Sequence, residues 1–223
     1  MIHADTWVKE LFTKLQAEFG SRLIYLGLQG SYRRGEATES SDIDIVTVLE
    51  SMTPDDLERY RRVVRTQPDS TKACGFICGI KELRGWPRYE IFQLVQDTQD
   101  YWGVLAELAP SVTRQDIREF VRIGAANLYH ELCHRYIYTE DAASPIKLTG
   151  CSKSVYYLVL NRHYLRTGYF CRTRAELAAA CDTPESQVMQ SAVRLSAGVA
   201  DDESFRRDFT LLLEWCQNIL QEE

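Results

Sequence analysis

The spacing of apolar residues changes character part-way along this chain. Val8, Leu11, Phe12, Leu15 and Phe19 recur at helical spacing and predict an amphipathic N-terminal helix. Leu23–Leu28 is a short apolar run that reads as a strand, Gly30-Ser31 reads as the turn ending it, and Ile43–Leu49 reads as a β-branched strand behind a polar loop containing Gly35 and Ser40-Ser41. Thr53 as N-cap, Pro54 in the first turn, and Asp55 and Asp56 at the positive end of the dipole predict a helix over Pro54–Val64. Cys74–Ile80 adds an apolar strand, and the alternating, aromatic-rich Tyr89–Val95 another, followed by a helix-like segment beginning near Asp97.

Beyond Pro110 nearly every segment is helical. Thr113 opens a long stretch in which Ile117, Phe120, Val121, Leu128 and Leu132 share a face. Further helices are marked by Val155–Leu165, by Thr173 with Glu176 in a capping-box arrangement, by Thr183-Pro184, and by Phe205, Phe209, Leu212, Cys216 and Leu220. The expected organisation is α/β (α+β): a sheet with helices over residues 1–110, then a helical bundle over 111–223.

The chemistry is concentrated between Leu26 and Leu49. Residues two apart on a strand point to one face, so Asp42 and Asp44 project together while Ile43 and Ile45 turn inward. Two converging carboxylates repel unless a cation lies between them, and a hard, oxygen-seeking ion such as Mg²⁺ suits that pair. Upstream, Gly30 allows a phosphate close approach to backbone N–H groups, and the Ser31 hydroxyl adds a donor. Arg33 and Arg34 follow at once and are placed to offset phosphate charge, or simply to be solvated on a turn.

Gly30-Ser31, ten intervening residues, then Asp42-Ile43-Asp44 resembles the Gly-Ser and Asp-x-Asp signature of the nucleotidyltransferase superfamily related to DNA polymerase beta. The closest layout is that of the aminoglycoside and lincosamide nucleotidyltransferases. The resemblance covers about the first hundred residues and implies a mixed catalytic sheet. It also implies a Mg²⁺-dependent enzyme, with two ions held by three carboxylates, moving a nucleoside monophosphate from an NTP, ATP being the expected one, to an acceptor hydroxyl with release of pyrophosphate. Asp42 and Asp44 supply two carboxylates, and Glu90 or Glu82 the third. Glu90 is preferred, since it lies in the strand-like run before a helix, whereas Glu82 falls near the turn containing Gly85 and Pro87.

The same resemblance assigns acceptor binding to the helical half and implies a catalytic base there. Asn127–Tyr138 gathers Tyr129, His130, Glu131, His134 and Arg135 within a short stretch of helix, and Glu131 is the candidate base, with a structural polar role as the alternative. Lys153, near Lys147, Pro145 and Gly150, is the basic residue expected to meet the nucleotide phosphates. His130-Glu131-Leu132-Cys133-His134 also spells HExxH, a zinc-protease pattern that needs a third ligand, for which His163 is the main candidate.

At 223 residues the chain can bury a substantial core, and a net charge of −6 argues against broad nucleic-acid binding. A small-molecule acceptor, such as an aminoglycoside-type antibiotic, is the expected partner. No apolar run approaches a membrane span. Seven cysteines without paired metal spacing indicate a reduced, cytoplasmic setting, with Cys74 and Cys78 as core thiols. Monomer and homodimer both remain open. The alternative from a different class is an antitoxin or regulatory protein of the minimal nucleotidyltransferase type, acting on or binding a protein partner.

Overall fold

The computed structural model describes residues 2–138, 148, 150–198 and 201–222. Pro145 and Lys147 lie outside the described residues. The chain divides into two compact units, Met1–Val112 and Thr113–Glu223.

The first unit is built on a mixed sheet of four strands: β1 (Leu23–Gln29), β2 (Ile43–Leu49), β3 (Ala73–Gly79) and β4 (Thr98–Trp102). Their order is β3-β2-β1-β4, with β1 antiparallel to both β2 and β4, and β2 parallel to β3. The two central strands are buried along most of their length, which explains their nearly unbroken apolar sequence. Helix α1 (Ala4–Phe19) buries Trp7, Val8, Leu11, Leu15 and Phe19 in one stripe, in a cluster with Leu26, Leu28, Ile43 and Ile45 of the sheet. A second cluster holds Tyr25, Val46, Val48, Leu83, Ile91 and Leu105. On β3, Gly75 has φ +133° and a Cβ there would lie 2.0 Å from the Ile45 carbonyl oxygen, so the strand pairs as it does only with glycine at that point.

Between the strands run α2 (Gly30–Arg34), α3 (Pro54–Arg65), α4 (Ile80–Gly85), α5 (Arg88–Gln96) and α6 (Leu105–Leu108). Here the structure departs from the sequence pattern at several points. Tyr89–Val95 is helical, because Pro87 presets the N-terminus and Ile91, Leu94 and Val95 recur at helical spacing; the aromatic content and local alternation had suggested a strand. The segment after Asp97 is the edge strand β4 rather than a helix. It is fixed to β1 by backbone pairing, by the Tyr25 hydroxyl donating to Asp100 Oδ1 at 2.5 Å, and by Trp102 Nε1 donating to the Leu23 carbonyl at 3.2 Å. Gly30-Ser31 begins the short helix α2 instead of forming a simple turn. Of the two thiols expected in the core, Cys78 is buried and Cys74 is exposed.

The second unit consists of α7 (Arg114–Tyr138), α8 (Cys151–Thr167), α9 (Arg174–Ala180), α10 (Thr183–Ala197) and α11 (Asp202–Gln221). Helix α7 buries Ile117, Val121, Ala125, Leu128 and Leu132, a heptad-like spacing, and α8 buries Val155, Tyr156, Leu158 and Val159. Phe209, Leu212, Cys216 and Ile219 of α11 complete this core. Buried charge is matched locally: Asp208 accepts from Arg194 at 2.6 and 2.8 Å and from the Ser191 hydroxyl at 3.1 Å.

The start of α3 carries a reciprocal cap. The Thr53 hydroxyl accepts from the Asp56 N–H at 3.2 Å, and the Asp56 carboxylate accepts from the Thr53 N–H at 3.1 Å. Arg22 adds two bonds to the same carboxylate, at 2.9 and 2.7 Å, and so holds Asp56 well below its ordinary value of 3.8. A depressed carboxylate contributes its full stability above the unfolded value and loses it as pH falls through the folded one. Acidifying from about pH 5 to about pH 2 is therefore expected to lower the melting temperature more steeply in the wild type than in Asp56→Asn. Parallel acid profiles in a thermal melt would contradict this role.

Candidate functional site

The strand register assembles one end of the sheet. Gln29 of β1 lies opposite Asp44 of β2 on one side and Thr98 of β4 on the other, while Asp44 lies opposite Cys74 of β3. Paired residues share a face, so the half-buried Asp44 stands in a row with Gln29. Asp42 is exposed, one residue ahead of β2.

Gly30 follows Gln29 directly and opens α2 with φ +75°. A Cβ at Gly30 would lie 2.2 Å from Asp44 Oδ2, so the carboxylate rests in the space that any other side chain would fill. The backbone N–H groups of Gly30 and Ser31 belong to the first turn of α2, where N–H groups have no intrahelical partner. Acid and helix-start amides thus meet at one spot, the arrangement that a phosphate–metal pair requires.

Beneath α2 lies a buried ion cluster. Asp97 is 2% exposed and binds Arg34 Nη1 through Oδ2, with Arg33 Nη1 3.8 Å from Oδ1. Arg34 also pairs with Glu36 at 3.0 Å, and Arg33 Nη2 donates to the Gln96 carbonyl at 3.3 Å. Burial raises Asp97 to about 6; the two guanidiniums act against the rise, and the charges of Glu36 and Asp44 add to it. Arg33, expected to face phosphate, is therefore engaged by β4 and its approach. Asp97 went unnoticed in the sequence as anything but a helix start. The signal that could have found it is the adjacent Arg33-Arg34 pair, which needs a buried acid if it packs inward.

Glu90 stands in the first turn of α5, exposed, and its Oε2 accepts from Trp86 Nε1 at 2.6 Å. Its expected place on a strand beside Asp44 does not exist, because that segment is helical. Glu82 lies on α4. Among the described residues no three or more His, Cys, Asp or Glu side chains gather in an arrangement able to hold a metal. The same observation removes the zinc-protease reading: His130 and His134 are exposed one turn apart on α7, and His163 is buried on α8. In the second unit Glu131 pairs with Arg135 at 3.0 Å, and Lys153 is exposed in the first turn of α8.

Residues 8–88, from α1 through α5's first residue, match the family model described as the nucleotidyltransferase domain. The first unit has the nucleotidyltransferase fold and carries that match. Nucleotidyl transfer is the activity that goes with such a domain. A sequence search of curated proteins gives no match. In three dimensions the chain is similar to spectinomycin adenyltransferase AAD(9) from Enterococcus faecialis, solved with ATP and spectinomycin, with a TM-score of 0.57 at 15% identity over 98% of this chain and 99% of that one. At that identity the likeness establishes the shared fold, nucleotidyltransferase sheet and C-terminal helices together. A toxin–antitoxin structure with AMP-PNP gives a TM-score of 0.34 at 14% identity over 61% of this chain. No helix among the described residues is long and apolar enough to cross a membrane.

The nucleotidyltransferase domain distinguishes its acids by burial. Removing the Asp97 carboxylate takes away the buried acid that Arg33 and Arg34 share, so Asp97→Ala is expected to cost about 3 kcal/mol in urea unfolding at neutral pH. Asp42→Ala, at an exposed position, is expected to stay within about 0.5 kcal/mol of wild type. Equal effects of the two substitutions would show that the cluster under α2 contributes no support.

Proposed function

We propose that this protein moves a nucleoside monophosphate from an NTP to a hydroxyl of a small molecule and releases pyrophosphate. The observation that carries the reading is the Asp44 carboxylate lying against the Cα of Gly30 at the start of α2. That contact puts a metal-binding oxygen and phosphate-binding amides side by side, in a domain whose family performs this transfer. ATP is the proposed donor, supported by the ATP in the similar AAD(9) structure. The acceptor class is a hydroxylated, antibiotic-like small molecule, in keeping with the spectinomycin held by that protein.

Asp42 and Asp44 offer hard oxygen donors at one strand end, and Mg²⁺ is commonly held by one or two carboxylates with substrate phosphates completing its shell. The pair therefore fits a divalent ion without a third protein acid. Such an ion, when bound, supplies charge stabilisation for the departing pyrophosphate. Gly30 and Ser31 orient the phosphates through their N–H groups, and the Ser31 hydroxyl donates a further bond. Asp97 holds α2 in place through Arg34 and Arg33 and so positions those donors. From the helical unit, Glu131 is the proposed base for the acceptor hydroxyl and Lys153 the proposed phosphate cation. Most of the rate comes from positioning and electrostatics rather than from a covalent intermediate.

The decisive assay is pyrophosphate release with each NTP and Mg²⁺ across a panel of aminocyclitol, aminoglycoside and lincosamide acceptors. Acceptor-dependent release is expected with one of them, and Asp44→Asn is expected to reduce it at least about a hundredfold while leaving the melting temperature close to that of wild type. Full activity in Asp44→Asn would overturn the mechanism.

A further inference from the structure

The helical unit contains a cleft of about 770 Å³ that plays no part in the chemistry above. Its floor is apolar, formed by residues such as Val121, Leu165 and Ile219, and its rim carries five arginines. Two of these are already matched by acids. Arg162 pairs with Glu222 at 2.7 Å and Glu185 at 3.3 Å, and Arg166 pairs with Glu185 at 2.6 Å and Asp182 at 3.3 Å.

The other three, Arg114, Arg118 and Arg122, follow one another at four-residue intervals along α7 and so form a single stripe. Among the described residues none of the three has an ion pair within 4.0 Å. Arg114 donates to the Leu165 carbonyl, and Arg118 reaches Gln115 Oε1 at 3.5 Å. This is a costly place for unmatched cations. Like charges one turn apart on a helix repel, and the first turns of a helix already carry the positive end of its dipole. Glu119 at the cleft edge offsets one charge and leaves the stripe basic, in a protein whose net charge is −6. Arg118 and Arg122 are exposed, so packing does not account for them.

We propose that this cleft binds a small amphipathic anion: an apolar body seated on the Val121–Leu165–Ile219 floor, with at least two phosphate, sulfonate or carboxylate groups on the arginine stripe. The volume lies in the range of small-molecule sites. The stripe covers nine residues of helix, Arg114 to Arg122, about 12 Å along the axis, which suits anionic groups at two ends of one molecule. Guanidinium forks grip such groups bidentately, and in the free protein the same groups repel one another. The proposal does not depend on the nucleotidyl-transfer reading.

The test uses the full chain and the disulfonate dye 4,4′-dianilino-1,1′-binaphthyl-5,5′-disulfonate, whose aromatic body and two anionic groups match the cleft. Fluorescence titration at low salt is expected to show one saturable site, weakened at least about tenfold in an Arg118→Gln/Arg122→Gln variant. Without dye, that variant is expected to melt no lower than wild type, because the substitutions relieve repulsion. Unchanged dye affinity in the variant, a lower melting temperature without ligand, or tighter binding of a single-stranded RNA oligomer than of the dye would each overturn the proposal.

Discussion

The antiparallel pairing of β1 with β2 is the constraint on which the first unit depends. Its register sets Gln29 opposite Asp44, and because Gly30 comes next, it also sets the bare Cα of that glycine against the carboxylate. A slip of one residue would exchange the two faces of β2, carrying Asp44 onto the face packed by α1 and Ile43 and Ile45 onto the face that Asp44 now shares with Val46 and Val48. The apolar clusters on both sides of the sheet oppose that slip, since Ile43 and Ile45 pack with α1 while Val46 and Val48 face Leu83 and Ile91. The precision of the polar site is thus held by hydrophobic packing a few ångströms away. Site geometry and fold stability rest on the same strand pairing, seen from its two ends.

A second level of support is ionic. Desolvating Asp97 is unfavourable, as its upward shift to about 6 shows, and the fold accepts that burden with two guanidiniums from α2. Buried ion clusters add little net stability but define geometry sharply, because a displaced partner leaves charge uncompensated. Here the geometry so defined is that of a five-residue helix too short to hold itself. The Arg33-Arg34 pair therefore acts on the Gly30-Ser31 end of the sheet indirectly, through the backbone it anchors.

Much of this organisation was legible in the sequence, and the exceptions share a physical origin. The helices α1, α3 and α7 announce themselves through apolar stripes and, for α3, through a cap written in Thr53, Pro54 and Asp56. Gly30, Ser31, Asp42 and Asp44 stand out because their spacing is local and their chemistry unusual. The reading failed between Tyr89 and Trp102, where helix and strand were interchanged. In α5 the apolar residues fit either period over a short run, and β4 is polar and partly exposed, with a pattern that acquires meaning only when β1 is beside it. Asp97 was missed for the same reason: its partners lie 63 residues away, and no local pattern marks an acid destined for burial. Glu90 belongs to the same interchange: the strand expected around it is the first turn of α5.

The late position of β4 in the chain has a kinetic consequence. Strand β1 can meet β2 across a connection of modest length, whereas its other edge waits for residues more than seventy positions downstream, as in the pairing of Leu26 with Trp102. Closing so long a loop carries the larger entropy, and contacts of high sequence separation slow the search for the native topology. The salt bridge that steadies α2 arrives with that same strand. Closing the last edge thus also secures α2, whose anchor lies far along the chain. The end of the sheet that carries Gly30 and Asp44 is complete only when its most distant segment has paired.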